Sequence, residues 1–123
     1  MSKINRIEIP ISIPEENTPD GWSIISINNN VDSTYYKVFA SWYGSYDVGD
    51  SWRLNSGITK VESDDTYYYF HGHSGSIYKC HKNKYNKHTS YANNIIEQFI
   101  SSAEKEGAHI EIMDDTNWLN LIK

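Results

Sequence analysis

Residues 52–83, W-R-L-N-S-G-I-T-K-V-E-S-D-D-T-Y-Y-Y-F-H-G-H-S-G-S-I-Y-K-C-H-K-N, decide how the chain folds. Short runs rich in Ile, Val, Thr, Tyr and Phe alternate with Ser-Gly and Asp-Asp punctuation, the pattern of a β-meander. Strands are expected at 51–54, 58–62, 66–70 and 76–80. Ser56-Gly57 and Gly75 supply the positive φ that tight turns need, and Asp64-Asp65 favours a turn by bonding its side chains to nearby backbone N–H groups.

Toward the N-terminus, Ile7, Ile9, Ile11 and Ile13 alternate with polar or Pro positions, which predicts a half-buried strand over 6–13. Pro10 cannot donate to a ladder, so this strand belongs on a sheet edge. The stretch P-E-E-N-T-P-D-G after it reads as turn. Residues 22–27 (W-S-I-I-S-I) form a second strand that Asn28, Asn29 and Asn30 turn back as a hairpin. The longest β-prone run, Thr34 to Tyr43, is apolar or aromatic on both faces, which predicts a central strand with one side under a helix. Residues 44–50 break the pattern as an exposed loop.

Toward the C-terminus, 82–90 has no periodicity and reads as a loop. From Ser90, a plausible N-cap, apolar residues at 91, 95, 96, 99, 100 and 103 follow helical spacing. Lys105 lies in the last turn, favouring the helix dipole, and Gly107 suits the C′ position. Ala108, Ile110 and Ile112 predict a final strand. Asp114 or Asp115 then caps a short helical turn bearing Trp118, Leu119, Leu121 and Ile122. The sum is an α+β fold: a single domain over 1–123, an antiparallel β-meander sheet with one main C-terminal helix packed on it.

A chain of 123 residues suits one core better than two. Apolar residues are only 38%, but 14% aromatics compensate, because each buried ring removes about 150–250 Å² from water. Cys80 is alone, residues 1–30 show no leader pattern, and no run of about 18 apolar residues occurs. These features predict a soluble cytoplasmic protein. The net charge of −5 argues against general nucleic-acid binding. Its distribution is uneven: residues 66–96 hold Lys79, Lys82, Lys84 and Lys87 and no acid, while the rest sets seven bases against sixteen acids, −9.

Catalytic signatures are weak. His71 and His73, two apart, with Cys80 and His81 on the next strand, are the nearest approach to a metal site. No carboxylate lies close in sequence to fix an imidazole tautomer, and the glycines around them indicate turn histidines. Gly72-His-Ser-Gly-Ser76 departs from the Gly-x-Ser-x-Gly nucleophile elbow and precedes a strand, not a helix. Adjacent Cys80 and His81 point to opposite strand faces, so Cys80 reads as a small core residue. The acid pairs Glu15-Glu16, Asp64-Asp65 and Asp114-Asp115 sit where turns and caps use carboxylates. No phosphate-binding glycine loop is present. No catalytic residue, metal or cofactor is therefore assigned.

Binding signatures are stronger. From Tyr78 to His88, lysines interleave with tyrosines, a pattern that tracks acidic surfaces, and His81 and His88 would add charge below about pH 6.5. Tyr43, Tyr46 and Trp52 flank the 44–50 loop together with Asp47 and Asp50, and such aromatics are enriched at interface hot spots. The candidate partner-binding set is Tyr43, Tyr46, Asp47, Asp50, Trp52, Lys79, Lys82, Lys84, Tyr85 and Lys87.

The segments S-W-Y-G-S-Y-D-V-G-D-S-W-R-L-N-S-G-I (41–58) and Y-Y-F-H-G-H-S-G-S-I-Y-K-C-H-K-N-K-Y (68–85) resemble small phage- and prophage-encoded accessory proteins of unassigned function. The resemblance covers about half the chain and implies a single-domain protein that binds and blocks a host machine, as anti-CRISPR and anti-restriction proteins do. The expected function is a non-enzymatic binding protein that inhibits a larger intracellular protein or protein–nucleic-acid complex of host defence. Direct nucleic-acid contact would be confined to 79–88, and no membrane is involved. The alternatives are an immunity protein or antitoxin neutralising a cognate toxin, and a small metal-dependent hydrolase using His71, His73 and His81.

Overall fold

A strand with apolar side chains on both faces has to lie between two layers, and the run from Thr34 does. A computed structural model describes residues 16–28, 34–44, 50–114 and 118. Among these are strands β1 (Glu16–Asn17), β2 (Gly21–Asn28), β3 (Thr34–Trp42), β4 (Ser51–Leu54), β5 (Ile58–Ser63), β6 (Tyr67–Gly72), β7 (Ile77–His81) and β8 (His109–Ile112), with helix α1 (Ser90–Lys105) between the last two. They pair in two four-stranded sheets, β1-β7-β6-β5 and β4-β3-β2-β8. Among the described residues no helix is long and apolar enough to cross a membrane.

The α+β class expected from the sequence is present, with one correction: the strands divide between two sheets. The four-strand meander becomes three strands, β5 to β7, because β4 pairs with β3 (Phe39 opposite Leu54, Ser41 opposite Trp52). The chain changes sheets at Asn55, whose buried Oδ1 accepts from Val38 N at 2.9 Å and Gly57 N at 3.4 Å. The β2–β3 hairpin forms as expected, from Gly21 opposite Ser41 to Asn28 opposite Thr34. The 14–21 stretch is not all turn, since Glu16 and Asn17 pair with Ile77 and Tyr78 in parallel. A strand of two residues is too short to leave an alternation to read.

The β4-β3-β2-β8 sheet is the middle layer. Trp22, Ile24, Val38 and Ala40 point toward the other sheet and meet Phe70, Tyr78, Cys80 and Trp118. Ile25 and Phe39 point the other way, onto Ala92 and Ile96 of α1, with Trp52, Leu54 and Phe99 around them. Rings compensate for the shortage of aliphatics, as Trp22 alone lies 4.7 Å from Tyr85, 5.4 Å from Phe70, 5.8 Å from Trp118 and 5.9 Å from Tyr68 between centroids. Cys80 is a fully buried core residue, and burial pushes its thiol well above the ordinary range.

Helix α1 begins one residue earlier than expected. Thr89, not Ser90, is the N-cap, its Oγ1 accepting from Ala92 N at 3.2 Å. Tyr91 falls outside the apolar stripe and is exposed. Gly107 (φ 84°) takes the C′ position, with Gly107 N donating to Glu104 O and Ala108 N to Ala103 O in a Schellman close. The expected strand over 6–13, the Asn29-Asn30 turn, and Asp115, Leu119, Leu121 and Ile122 lie outside the described residues. Trp118 is buried in helical backbone.

Candidate interaction surface

Residues 82–90 are not a loose loop. A 3-10 turn spans Lys82–Lys84, started by His81, whose Nδ1 accepts from Asn83 N at 3.1 Å. The chain then crosses one end of the sandwich from β7 to β2. Trp22 Nε1 donates to His81 O at 2.7 Å, and Asn86 N donates to Trp22 O at 2.7 Å. Tyr85 turns inward, its hydroxyl accepting from Ile24 N at 3.1 Å and donating to Met113 O at 2.6 Å. Asn86 holds φ 60°, a left-handed value that Asn tolerates. Gly21 is required by the same approach, since a Cβ there would lie 1.9 Å from Lys87 O.

His88 closes the anchor. Its Nε2 lies 2.7 Å from Ser23 Oγ and its Nδ1 2.6 Å from Ser41 Oγ, while Ser23 donates to Asn86 Oδ1. Ser23 has one hydroxyl proton, so it accepts from Nε2–H; Ser41 has two acceptors in reach, Nδ1 at 2.6 Å and Gly21 O at 3.4 Å, and its single proton goes to the nearer, Nδ1. The imidazole is thus neutral, and burial lowers its pKa to about 4. The expectation that His88 adds charge below pH 6.5 is corrected. A serine hydroxyl on an imidazole is also the hydrogen bond of a nucleophilic dyad. With Ser23 at 0% and Ser41 at 1% exposure no substrate reaches either, and the cluster is a structural knot. Nothing local in the sequence marks it, as the partners lie 47 to 65 residues apart.

What remains outward is a ledge of lysines. Lys84 and Lys87 are exposed, Lys79 Nζ lies 4.5 Å from the Tyr67 ring centroid, and Lys82 Nζ lies 4.8 Å from that of Tyr68. Tyr67, Tyr69 and His71 on β6 share the outer sheet face with Lys79 and His81 on β7. There Tyr69 OH donates to Asp64 Oδ2 at 2.7 Å, and Tyr67 and His81 meet edge to face at 5.2 Å. Asp64 also accepts from Thr66 N and Tyr67 N, and these three hydrogen bonds hold its carboxyl down at about 2.

The expected binding residues separate into two groups. Tyr43, 54% exposed, reaches the ledge, its hydroxyl 3.5 Å from Lys87 O. Asp50 is half-buried and its Oδ1 accepts from Gly44 N at 2.8 Å, closing the loop base. Tyr46 and Asp47 lie outside the described residues. Tyr85 and Trp52 leave the surface: Tyr85 is the pin described above, and Trp52 stacks on Phe39 at 6.0 Å and meets Phe99 edge-on at 5.1 Å. Trp52→Leu is therefore expected to lower folding stability by about 1–3 kcal/mol through its two ring contacts, measured by denaturant titration, with partner affinity unchanged.

The histidines and the cysteine do not converge. His71 Nε2 lies 2.7 Å from Glu62 Oε1 across β5, which supplies the carboxylate that sequence proximity did not reveal and lowers the Glu62 pKa. His73 packs over Gly57, His81 caps the 3-10 turn, and Cys80 is inside the sandwich. Among the described residues no three His, Cys, Asp or Glu side chains are placed to hold a metal ion. Comparison with protein-family models, with curated proteins and with solved structures finds no match for the chain.

Proposed function

We propose that the protein is a non-enzymatic binding protein that docks onto a larger intracellular partner and inhibits it, through the lysine ledge 79–87 with Tyr43 at its end. The observation that carries this reading is the anchoring of the ledge. Tyr85, Asn86 and His88 fix the backbone, so Lys84 and Lys87 stand on a frame that loses little backbone entropy on binding. The ledge lies in a 31-residue stretch without an acid, whereas the rest of the chain carries −9. A basic stretch set in an otherwise acidic chain orients an encounter and selects an acidic patch on the partner. The resemblance to phage accessory proteins supports a host-defence machine that handles nucleic acid as the target.

The test is affinity capture from host lysate with wild-type protein and with the Lys82→Glu, Lys84→Glu, Lys87→Glu triple variant. One stoichiometric partner is expected with wild type, and affinity at least tenfold weaker is expected with the variant, because like charges then face each other. Loss of the Lys82–Tyr68 contact costs only about 0.5–1 kcal/mol, so the variant stays folded. The alternative, an immunity protein, rests on the −9 remainder and predicts a basic toxin as partner. Capture of such a toxin at undiminished affinity by the triple variant would decide for it.

A further inference from the structure

A cavity of about 340 Å³ opens at the change of sheets, where the chain leaves β4 and enters β5. Its polar lining comes from Lys37, Arg53, Asn55, Ser56, Ser74 and Ser76. Not one of these is a carboxylate, and among the described residues neither Lys37 nor Arg53 forms an ion pair. Arg53 reaches toward β1, with Nη1 3.4 Å from Asn17 Oδ1. The three serines form a chain of donors. Ser74 N donates to Ser56 Oγ at 2.9 Å, Ser56 to Ser74 Oγ at 3.2 Å, and Ser74 to Ser76 Oγ at 3.4 Å. A backbone N–H that can only donate starts this chain, and its last proton, on Ser76, has no acceptor among the described residues.

Asn55 adds an independent sign. It is 3% exposed, and its orientation is fixed because Oδ1 accepts from Val38 N and Gly57 N. The opposite terminus, Nδ2, is therefore a buried donor, and it has no partner among the described residues. Buried donors of this kind are rare in native structures, and a water or an ion is the usual partner. Gly72 lets β6 pack directly against Ser56 and Asn55, with no room for a side chain between them. A Cβ there would come within 2.8 Å of Ser56 Oγ and 3.4 Å of Asn55 Nδ2. Two cations and a hydroxyl chain line a cavity suited to an oxyanion with several acceptor oxygens, and the unmet amide donor lies just beneath them. A guanidinium and an ammonium lining one cavity match a dianion better than a single carboxylate.

A second cavity of about 250 Å³ shares Lys37 and Ser56 and continues past Gly57 to Tyr35 and His73. Tyr35 is 43% exposed. Together the two cavities provide a place for an anion and a flat ring-bearing surface for what carries it. We propose that this cleft binds a small phosphate monoester, its phosphate held by Arg53, Lys37 and the Ser56–Ser74–Ser76 chain and its organic part lying on Tyr35 and His73. The site is separate from the lysine ledge and does not depend on its role.

The test is an NMR titration of the ¹⁵N-labelled full chain at constant ionic strength, first with inorganic phosphate and then with phenyl phosphate. Saturable shifts are expected at the amides of 53–57 and 74–77, with phenyl phosphate the tighter ligand. Arg53→Gln should weaken binding about tenfold, the effect of losing a charged hydrogen-bond donor. Ser76→Ala, which removes only the terminal hydroxyl, should weaken it by a smaller factor, and Lys79→Gln should leave it unchanged. Linear shifts that never saturate, or equal sensitivity to Lys79→Gln, would reduce the effect to general charge attraction and overturn the proposal. Inorganic phosphate binding as tightly as phenyl phosphate would assign free phosphate to the cavity and overturn the monoester.

Discussion

Trp22→Ala is expected to lower folding stability by about 3–5 kcal/mol, the range for removing a large buried ring. Against total stabilities of about 5–15 kcal/mol for a native domain, that loss removes between a fifth and all of the margin. The size of the effect follows from position. Trp22 is 1% exposed and touches four other rings, from β6, the crossing segment and residue 118. Its indole N–H also holds His81 O, and its carbonyl holds Asn86 N, so the side chain and backbone together join the two sheets to the ledge. Trp22→Phe should recover part of the loss, since it refills the space but leaves His81 O without its donor. Denaturant midpoints followed by circular dichroism give the comparison. A loss below about 1 kcal/mol for the alanine variant would mean that the sheets are not joined through this ring.

The parts of the fold that were readable before the structure are those governed by neighbours in sequence. Alternation located β2, β3 and the three strands of the meander, and helical spacing located α1 to within a residue at its start. The Gly57, Gly75 and Gly107 turns all have the positive φ that their context required. Pairing was not readable, because Asn55-Ser56-Gly57 has the composition of a hairpin turn and serves instead as the passage between sheets. The same limit applies to the site. The lysines of the ledge are visible as a charge run, but the residues that hold it still, Tyr85 and His88, looked like part of that run. The partners that turn them inward, Ile24, Met113, Ser23 and Ser41, are far away in the chain. Lys37 and Arg53 stand in different strands with nothing between them to suggest a common cavity.

His88 makes the second large prediction, a loss of stability in mild acid. In the unfolded chain its imidazole titrates near 6.5, and in the folded chain burial lowers this to about 4. Between those values the unfolded state binds more protons, so stability rises with pH across the window and falls as the pH drops from 6.5 toward 4. The contribution is whole above pH 6.5. By about pH 4.5 the linkage reaches roughly 2.5 kcal/mol, and the solvent contact that the ring keeps reduces the expected loss to about 2 kcal/mol. Asp64 does not interfere, because its carboxyl, held at about 2 against an ordinary 3.8, loses its contribution only below this window. Glu62, lowered from 4.5, begins to add its own loss at the acid end, so the slope between about pH 7 and pH 5 belongs to the imidazole. His88→Gln provides the control. It is expected to be less stable than wild type at neutral pH, because Ser23 and Ser41 lose their ring partner, yet to show little slope from pH 7 to pH 5. Denaturant midpoints that track one another across that range in both proteins would show that the buried ring is not what titrates. A slope present in wild type and absent in the variant means that the fold holds His88 neutral, so charging the ring opposes the folded state in which the ledge is anchored.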